Sequence, residues 1–183
     1  MKKIYFVLCA TLLVAACGHK VNREELVSNI EEHELAMDYT NYNADAVDSV
    51  CNEMIVLYRQ FYTAFPTDSL APEYMQRSAQ MLITLERTDE AVAVLDSIVN
   101  QYPDYSDVGG CWFLKGFAYE NAEQYDKARE AYTWFIENYP DHYLADGTRK
   151  SLEYLGMSNE EMLEAIMNAA GNADLLTADG SEF

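Results

Sequence analysis

Residues 109–140 read GGCWFLKGFAYENAEQYDKAREAYTWFIENYP, and this stretch decides the fold. Its apolar and small residues recur at intervals of three or four on either side of the polar turn EQYD: Trp112, Gly116, Tyr119, Ala128 and Tyr132. Such spacing places side chains on one face of an α-helix. Pro140 then ends the second helix, because its ring cannot continue the hydrogen-bond ladder. The stretch therefore predicts two antiparallel helices joined by a tight turn.

The second half of this pattern occurs three times along the chain. Pro66, Pro103 and Pro140 each follow an aromatic residue and lie 37 residues apart. The positions five and eight residues before these prolines are all apolar: Phe61, Ile98, Phe135, Tyr58, Leu95 and Tyr132. A helical pair that recurs at a fixed period buries its apolar face on its neighbours and forms a solenoid. We therefore predict an all-α array of helical hairpins.

The array resembles the tetratricopeptide repeat (TPR), in which an aromatic-small-aromatic helix precedes a helix marked by a small residue, an aromatic and a closing proline. Six positions match that pattern: Trp112, Gly116, Tyr119, Ala128, Tyr132 and Pro140. Lys115 and Glu123 depart from it, standing where the family prefers leucine and glycine, and the repeat is longer than the usual ~34 residues. The resemblance implies a TPR-like solenoid of about three repeats with caps, which binds a protein or peptide partner.

The N-terminus has the features of a lipoprotein signal peptide. Lys2 and Lys3 precede an apolar run over residues 4–17, which is shorter than the roughly 20 residues that a membrane-spanning helix needs. The run ends in VAAC, which resembles the bacterial lipobox, where a peptidase cuts before a cysteine that carries lipid. The resemblance implies a covalent lipid on Cys17, no other cofactor, and attachment to a membrane through that lipid.

These features divide the chain into four segments. We predict a lipoprotein signal peptide over 1–16, a lipidated tether with a marginal helix over 17–42, a TPR-like repeat domain over 43–170, and a disordered tail over 171–183. Arg149 and Glu153 replace the Trp and Gly of the preceding repeat, so we expect the last helical pair to be a terminal cap.

Charge and composition exclude several classes of function. The net charge of −19 repels phosphates, so we do not expect a nucleic acid partner. The three histidines lack cysteine or acid partners at metal-ligand spacing, and no phosphate-binding glycine loop or nucleophile elbow occurs. We predict no catalytic residues, no metal site and no small-molecule substrate. Cys51 and Cys111 could pair outside the cytoplasm, but their apolar surroundings favour free, buried thiols.

Binding is the activity that this architecture predicts, because the first helices of stacked pairs line a concave surface. Residues of those helices that miss the buried stripe form the predicted partner-binding groove: Gln76, Gln80, Ile83, Phe113, Phe117, Glu120 and Asn121. Phe113 and Phe117, four residues apart, would form an apolar ledge there. The alternative is that a neighbouring helix covers both rings.

A lipobox, an acidic tether and about three repeats together are similar to the barrel-assembly lipoproteins of bacterial outer membranes. They are also similar to periplasmic repeat proteins that coordinate wall synthesis with envelope constriction. Both resemblances imply a lipid-anchored scaffold in the cell envelope. Because Gly18 rather than aspartate follows the cysteine, we favour the periplasmic face of the outer membrane, with the cell surface as the other location. A purely structural subunit of a stable envelope complex is the alternative function.

Overall fold

The computed structural model describes residues 21–38 and 44–178, which form eight α-helices and contain no β-strand. The helices are α1 (Arg23–Asp38), α2 (Ala44–Ala64), α3 (Ala71–Thr84), α4 (Thr88–Gln101), α5 (Val108–Asn121), α6 (Tyr125–Asn138), α7 (Ala145–Tyr154) and α8 (Asn159–Ala178). The prediction of an all-α helical-hairpin solenoid is confirmed. No helix within the described ranges has the length and apolarity required to cross a bilayer.

The apolar residues that recur every 37 positions lie in the core of the fold. Phe61, Ile98 and Phe135, each five residues before a proline, are completely buried. The positions eight and twelve residues before the prolines are buried as well: Tyr58, Leu95, Tyr132, Met54, Ala91 and Ala128. The helices that carry them, α2, α4 and α6, each end two residues before the proline. The repeated stripe therefore marks the second helix of each pair, as its spacing predicts.

Consecutive helices pack into a continuous apolar interior. Side chains of α3, α4 and α5 form its central part: Met75, Ala79, Leu82, Ile83, Ala91, Leu95, Ile98, Cys111, Leu114 and Ala118. A second group joins α1, α2 and α3, and a third joins α5, α6 and the end of α7. Each helical pair therefore depends on its neighbours for burial, which is the property that defines a solenoid.

The aromatic-proline pairs connect successive loops. The Tyr102 hydroxyl donates a hydrogen bond of 2.7 Å to the carbonyl oxygen of Pro66 in the preceding loop. The Tyr139 ring lies against Gly109 at the start of α5, where a Cβ atom would meet the ring at 3.0 Å. In each of these two repeats, the aromatic residue before the proline connects the end of the second helix to the start of the first helix or to the loop just before it. This contact explains the regular placement of the pairs.

The turn between the two helices of a repeat contains a residue in the left-handed backbone conformation. Glu86 and Glu123, which lie 37 residues apart, both have a φ of 56°. The residue after each donates its backbone N–H to the carbonyl five residues earlier, Arg87 to Leu82 and Gln124 to Tyr119, both at 2.9 Å. These bonds close the first helix as in a Schellman motif. Glutamate therefore occupies a conformation that glycine adopts at lower cost.

The segment predicted to be a tether contains a packed helix. In α1, Leu26 and Ile30 are buried against α2 and α3. Arg23 at its start forms an ion pair with Asp68, just before α3, and Glu34 near its end does so with Arg77 of α3. Helix α1 therefore runs parallel to α3 and is the first helix that α2 lacked in the sequence interpretation. The stack begins at Arg23 rather than at residue 43.

The C-terminal helices also differ from expectation. The predicted capping box is present, because Ser158 N donates to Glu161 Oε2 at 2.8 Å and Glu161 N donates to Ser158 Oγ at 3.3 Å. Helix α8 then continues through Gly171 to Ala178, in place of the disordered tail predicted from residue 171. One glycine costs a helix only about 1 kcal/mol relative to alanine, and the alanines and leucines around it favour helix. The prediction for residues 179–183 lies outside the described residues.

Candidate functional site

One aromatic ring stands out on the surface of the first helices. Phe117 of α5 keeps 39% of its surface exposed. Its ring is stacked on that of Phe113, one turn earlier, with centroids 6.2 Å apart and planes 9° from parallel. The ledge predicted from the sequence therefore exists, but its two members differ in exposure.

Phe113 belongs to the core as much as to the surface. Its ring centroid lies 5.7 Å from that of Tyr132 and 6.0 Å from that of Phe135, both on α6. It also packs against the central group of buried residues between α3 and α5. The alternative reading, in which a neighbouring helix covers the ring, therefore applies to Phe113 but not to Phe117. The Phe113 ring therefore supports the Phe117 ring by stacking against it on the side of the core.

Two polar residues lie one turn beyond Phe117. Glu120 is half-buried and its Oε2 accepts a hydrogen bond of 2.6 Å from the Tyr132 hydroxyl. Burial, together with this bond, raises the pKa of Tyr132, so the hydroxyl stays protonated and keeps donating. Asn121 is exposed, and so is Gln80, which occupies on α3 the position of Phe117 on α5. We call these residues the interaction surface: Gln80, Phe117, Glu120 and Asn121.

Gln76 does not face a groove. It is only 8% exposed, and its Nε2 donates to Asp107 Oδ2 at 2.7 Å. Tyr105 donates its hydroxyl to Gln76 Oε1 at 2.6 Å. Asp107 in turn accepts a bond of 3.1 Å from His142 of the next loop. Both the nitrogen and the oxygen of the Gln76 amide therefore form hydrogen bonds within the protein. Gln76 is not part of the partner-binding groove predicted from the sequence.

The length of the repeat explains why Tyr105 and Asp107 cover Gln76. The family pattern has about 34 residues, whereas here the extra residues fall at 106–108, where the loop after the closing proline leads into α5. The longer loop brings Tyr105 and Asp107 over the N-terminal half of α3. The loop thus fills that end of the predicted groove, and the interaction surface is confined to the C-terminal halves of α3 and α5.

Ile83 also leaves the predicted site. It is 6% exposed and packs in the central apolar group with Leu114 and Ala118 of α5. Ile83 lies off the single stripe that helix spacing defines on α3. Helix α3 in fact contacts both α4 and α5, so its apolar face is wider than one stripe.

The opposite side of α5 carries a second aromatic group, which the sequence did not assign to any function. Trp112 and Trp134 are stacked with centroids 3.8 Å apart. Lys115 Nζ lies 4.1 Å from the centroid of the Trp112 ring and 2.6 Å from Asp96 Oδ1. The lysine that replaces the family's leucine is therefore held by a cation-π contact and an ion pair. These contacts join α4, α5 and α6, and we assign them a structural role.

Within residues 21–38 and 44–178 there is no group of three or more histidine, cysteine or acidic residues that could hold a metal ion. His33 and His142 each pair with a single carboxylate, that of Glu53 and that of Asp107. Cys51 and Cys111 are buried, free thiols. Cys17, the predicted lipid attachment site, lies outside the described residues.

Comparison with known protein families identifies the repeated unit. The tetratricopeptide repeat family model matches residues 73–105 and 111–142, which cover α3 with α4 and α5 with α6. Both segments are tetratricopeptide repeats. No curated protein and no solved structure gave a significant match. TPR arrays are typically non-catalytic scaffolds for protein–protein interaction. The four residues named above lie on α3 and α5, the first helices of the two matched segments.

Proposed function

We propose that this protein is a lipid-anchored TPR scaffold of the bacterial cell envelope that binds a protein or peptide partner through the interaction surface. The observation that carries the proposal is Phe117, an exposed aromatic ring on a rigid helix within a TPR. Aromatic residues of this kind are the ones that contribute most to protein interfaces. Gln80 at the equivalent position of α3 and Asn121 one turn further along α5 are both exposed, so their side-chain amides remain open to a partner.

The surroundings of Phe117 suit it for binding. Its neighbour Phe113 is fixed between Tyr132 and Phe135, and Glu120 is held by the Tyr132 hydroxyl. A side chain that is already ordered loses little conformational entropy when a partner arrives. The exposed ring therefore retains most of the free energy that its burial in an interface would release.

Site-specific photo-crosslinking in cells tests this proposal. A benzoyl-phenylalanine at Phe117 or Asn121 should form one discrete crosslinked product, because both positions lie on the interaction surface. The control position is Val56 of α2, which is 54% exposed on a different helix. Equal crosslinking from Val56 and Phe117, or no product from Phe117, would contradict the proposed surface.

The lipid anchor is the second component of the proposal. It rests on the lipobox-like residues 14–17 and on the basic, then apolar, stretch before them. Replacing Cys17 by serine removes the thiol that would form the thioether, so the variant should remain unprocessed and carry no lipid. Metabolic labelling with a fatty acid and the mobility of the protein on a gel report both effects. A variant that labels and migrates like the wild-type protein would exclude the anchor.

For the setting we propose the periplasmic face of the outer membrane, on the basis of Gly18 after the cysteine. Assistance in outer-membrane protein assembly is the role that we favour. Coordination of wall synthesis with envelope constriction, and a purely structural role in a stable complex, are the alternatives. The crosslinked partner separates them: a barrel-assembly component supports the first, a wall-synthesis protein the second, and a partner that never exchanges the third.

A further inference from the structure

Helix α8 carries a row of exposed apolar side chains. Leu163, Ile166 and Met167 expose 59%, 46% and 63% of their surfaces. They are three and four residues apart, so they lie on one face of the helix. Single exposed apolar residues are ordinary on protein surfaces, but a contiguous group on one helix face is typical of an interaction site. We call these three residues the α8 stripe.

No helix in the described part of the chain covers the α8 stripe. Helix α7 buries Ala145 and Thr148, and Leu155 after it packs with Ala128 and Tyr132 of α6. A second helix of a solenoid pair normally buries its apolar face on the first helix of the following pair. Here α8 is the last helix within residues 21–38 and 44–178, and none of the helices in those ranges packs on the α8 stripe.

The charges around the stripe restrict what can cover it. Glu160 and Glu164 are exposed and lie one turn apart, each within three or four residues of Leu163 or Met167. They therefore form an acidic row along one edge of the stripe. Helix α8 contains no lysine or arginine over its whole length. The charged side chains that α8 itself places beside the stripe are therefore acidic.

This charge pattern argues against two occupants. A second copy of α8 would bring two acidic rows together, and like charges across an interface oppose association. Stacking of α8 on α1 of another copy meets the same obstacle, since the exposed face of α1 carries Glu24, Glu25, Glu31 and Glu32. An anionic lipid surface is disfavoured as well, because interfacial helices use lysine and arginine to bind it.

We propose that the α8 stripe is the docking site of an amphipathic helix from another protein, whose apolar face is flanked by lysine or arginine. The apolar rows of the two helices pack against each other, and the basic flank lies over Glu160 and Glu164. This site is separate from the interaction surface at Phe117, which lies on a different helix. The protein would then contact two partner segments through two separate faces. One is the interaction surface on α3 and α5, and the other is the α8 stripe with its acidic edge.

Calorimetric titration with a synthetic peptide tests the proposal. The probe is an amphipathic helix of about 18 residues with leucine on one face and lysine on the other, and its control is the same peptide with glutamate in place of lysine. The leucine–lysine peptide should bind and the leucine–glutamate peptide should not. The triple variant Leu163→Ser, Ile166→Ser, Met167→Ser should bind at least about tenfold more weakly, although its charge is unchanged.

Two matched variants keep the test specific. Val56→Ser with Tyr143→Ser removes exposed side chains that lie outside α8, and this variant should bind the peptide like the wild-type protein. Phe117→Ser should also leave peptide binding unchanged, so failure of this proposal is distinguishable from failure of the interaction surface. Equal binding by the triple variant would show general attraction to an acidic protein and would overturn the proposal.

The remaining outcomes are also decisive. Loss of thermal stability in the triple variant would mean that the protein's own chain covers the stripe. A concentration-dependent dimer in sedimentation, abolished by the triple substitution, would make a second copy the occupant. Binding to anionic vesicles that depends on the stripe would make it a lipid-binding face. Each of these results would replace the proposed cationic helix.

Discussion

Gly116 of α5 lies directly against the ring of Tyr132 of α6, so closely that a Cβ atom at Gly116 would overlap Cδ1 and Cε1 of the ring. Tyr132 cannot move aside, since it is 1% exposed and its hydroxyl is bonded to Glu120. Gly116→Ala should therefore lower the free energy of unfolding by about 1–3 kcal/mol through overpacking. Urea unfolding measures the change.

Gly147 of α7 is the matched control for this substitution. A Cβ atom there would meet nothing within 4 Å, and the residue is also in a helix. Gly147→Ala should therefore stabilise the protein by about 0.5–1 kcal/mol, since alanine loses less backbone entropy in a helix. Opposite signs at the two glycines are expected. If both substitutions stabilise the protein, the close approach of α5 and α6 is refuted.

The loop contact made by the aromatic-proline pairs can be tested at Tyr102. Tyr102→Phe keeps the ring and deletes only the hydroxyl that donates to the Pro66 carbonyl. A loss of about 0.5–1.5 kcal/mol is expected, the usual contribution of one hydrogen bond. Tyr143→Phe is the control, because Tyr143 is 81% exposed. The same loss from both substitutions would show that the inter-loop bond has no special contribution.

The buried thiols make a prediction about reactivity. Burial raises the pKa of Cys111 from its ordinary value of 9.0 to about 12, and burial likewise raises the pKa of Cys51. At about pH 9, where roughly half or more of an exposed thiol is ionised, the Cys111 thiol remains protonated and therefore unreactive. Neither residue should react with a thiol reagent in the folded protein, and both should react in guanidinium chloride. Rapid labelling of Cys111 without denaturant would contradict its burial.

The repeat register could be predicted from the sequence because it is written in local signals. Each proline and the apolar residues five and eight positions before it obey helix geometry alone, and Phe61, Ile98 and Phe135 are indeed completely buried. Gly116 was also recognisable, since a small residue between two aromatics indicates close helix contact. Residues whose role follows from one helix's period were therefore predictable.

Residues whose role depends on distant parts of the chain could not be predicted from the sequence. Gln76 is removed from the surface by Asp107 and Tyr105, which lie about 30 residues away along the sequence. In helix α1, Leu26 and Ile30 are buried, too few to produce a clear stripe, and the helix also forms ion pairs such as that of Arg23 with Asp68. Sequence spacing contains no information about such pairings, and for this reason the groove predicted from the sequence includes Gln76, which the fold buries.

The most direct test of the central claim is a comparison of Phe117→Ser with Phe113→Ser. Phe117 is exposed, whereas Phe113 packs on Tyr132 and Phe135. Phe113→Ser should destabilise the protein by up to about 3–5 kcal/mol, as truncation of a core phenylalanine does. Phe117→Ser should leave the melting temperature within about 2 °C of the wild-type value.

The deciding quantity is the affinity of each variant for the partner that photo-crosslinking at Phe117 identifies. We predict that Phe117→Ser weakens binding of the purified partner by about thirtyfold, the equivalent of roughly 2 kcal/mol for an aromatic residue at the centre of an interface. Stability and helix content should remain those of the wild-type protein. Unchanged affinity in a stable Phe117→Ser variant would contradict the account and move the binding surface elsewhere.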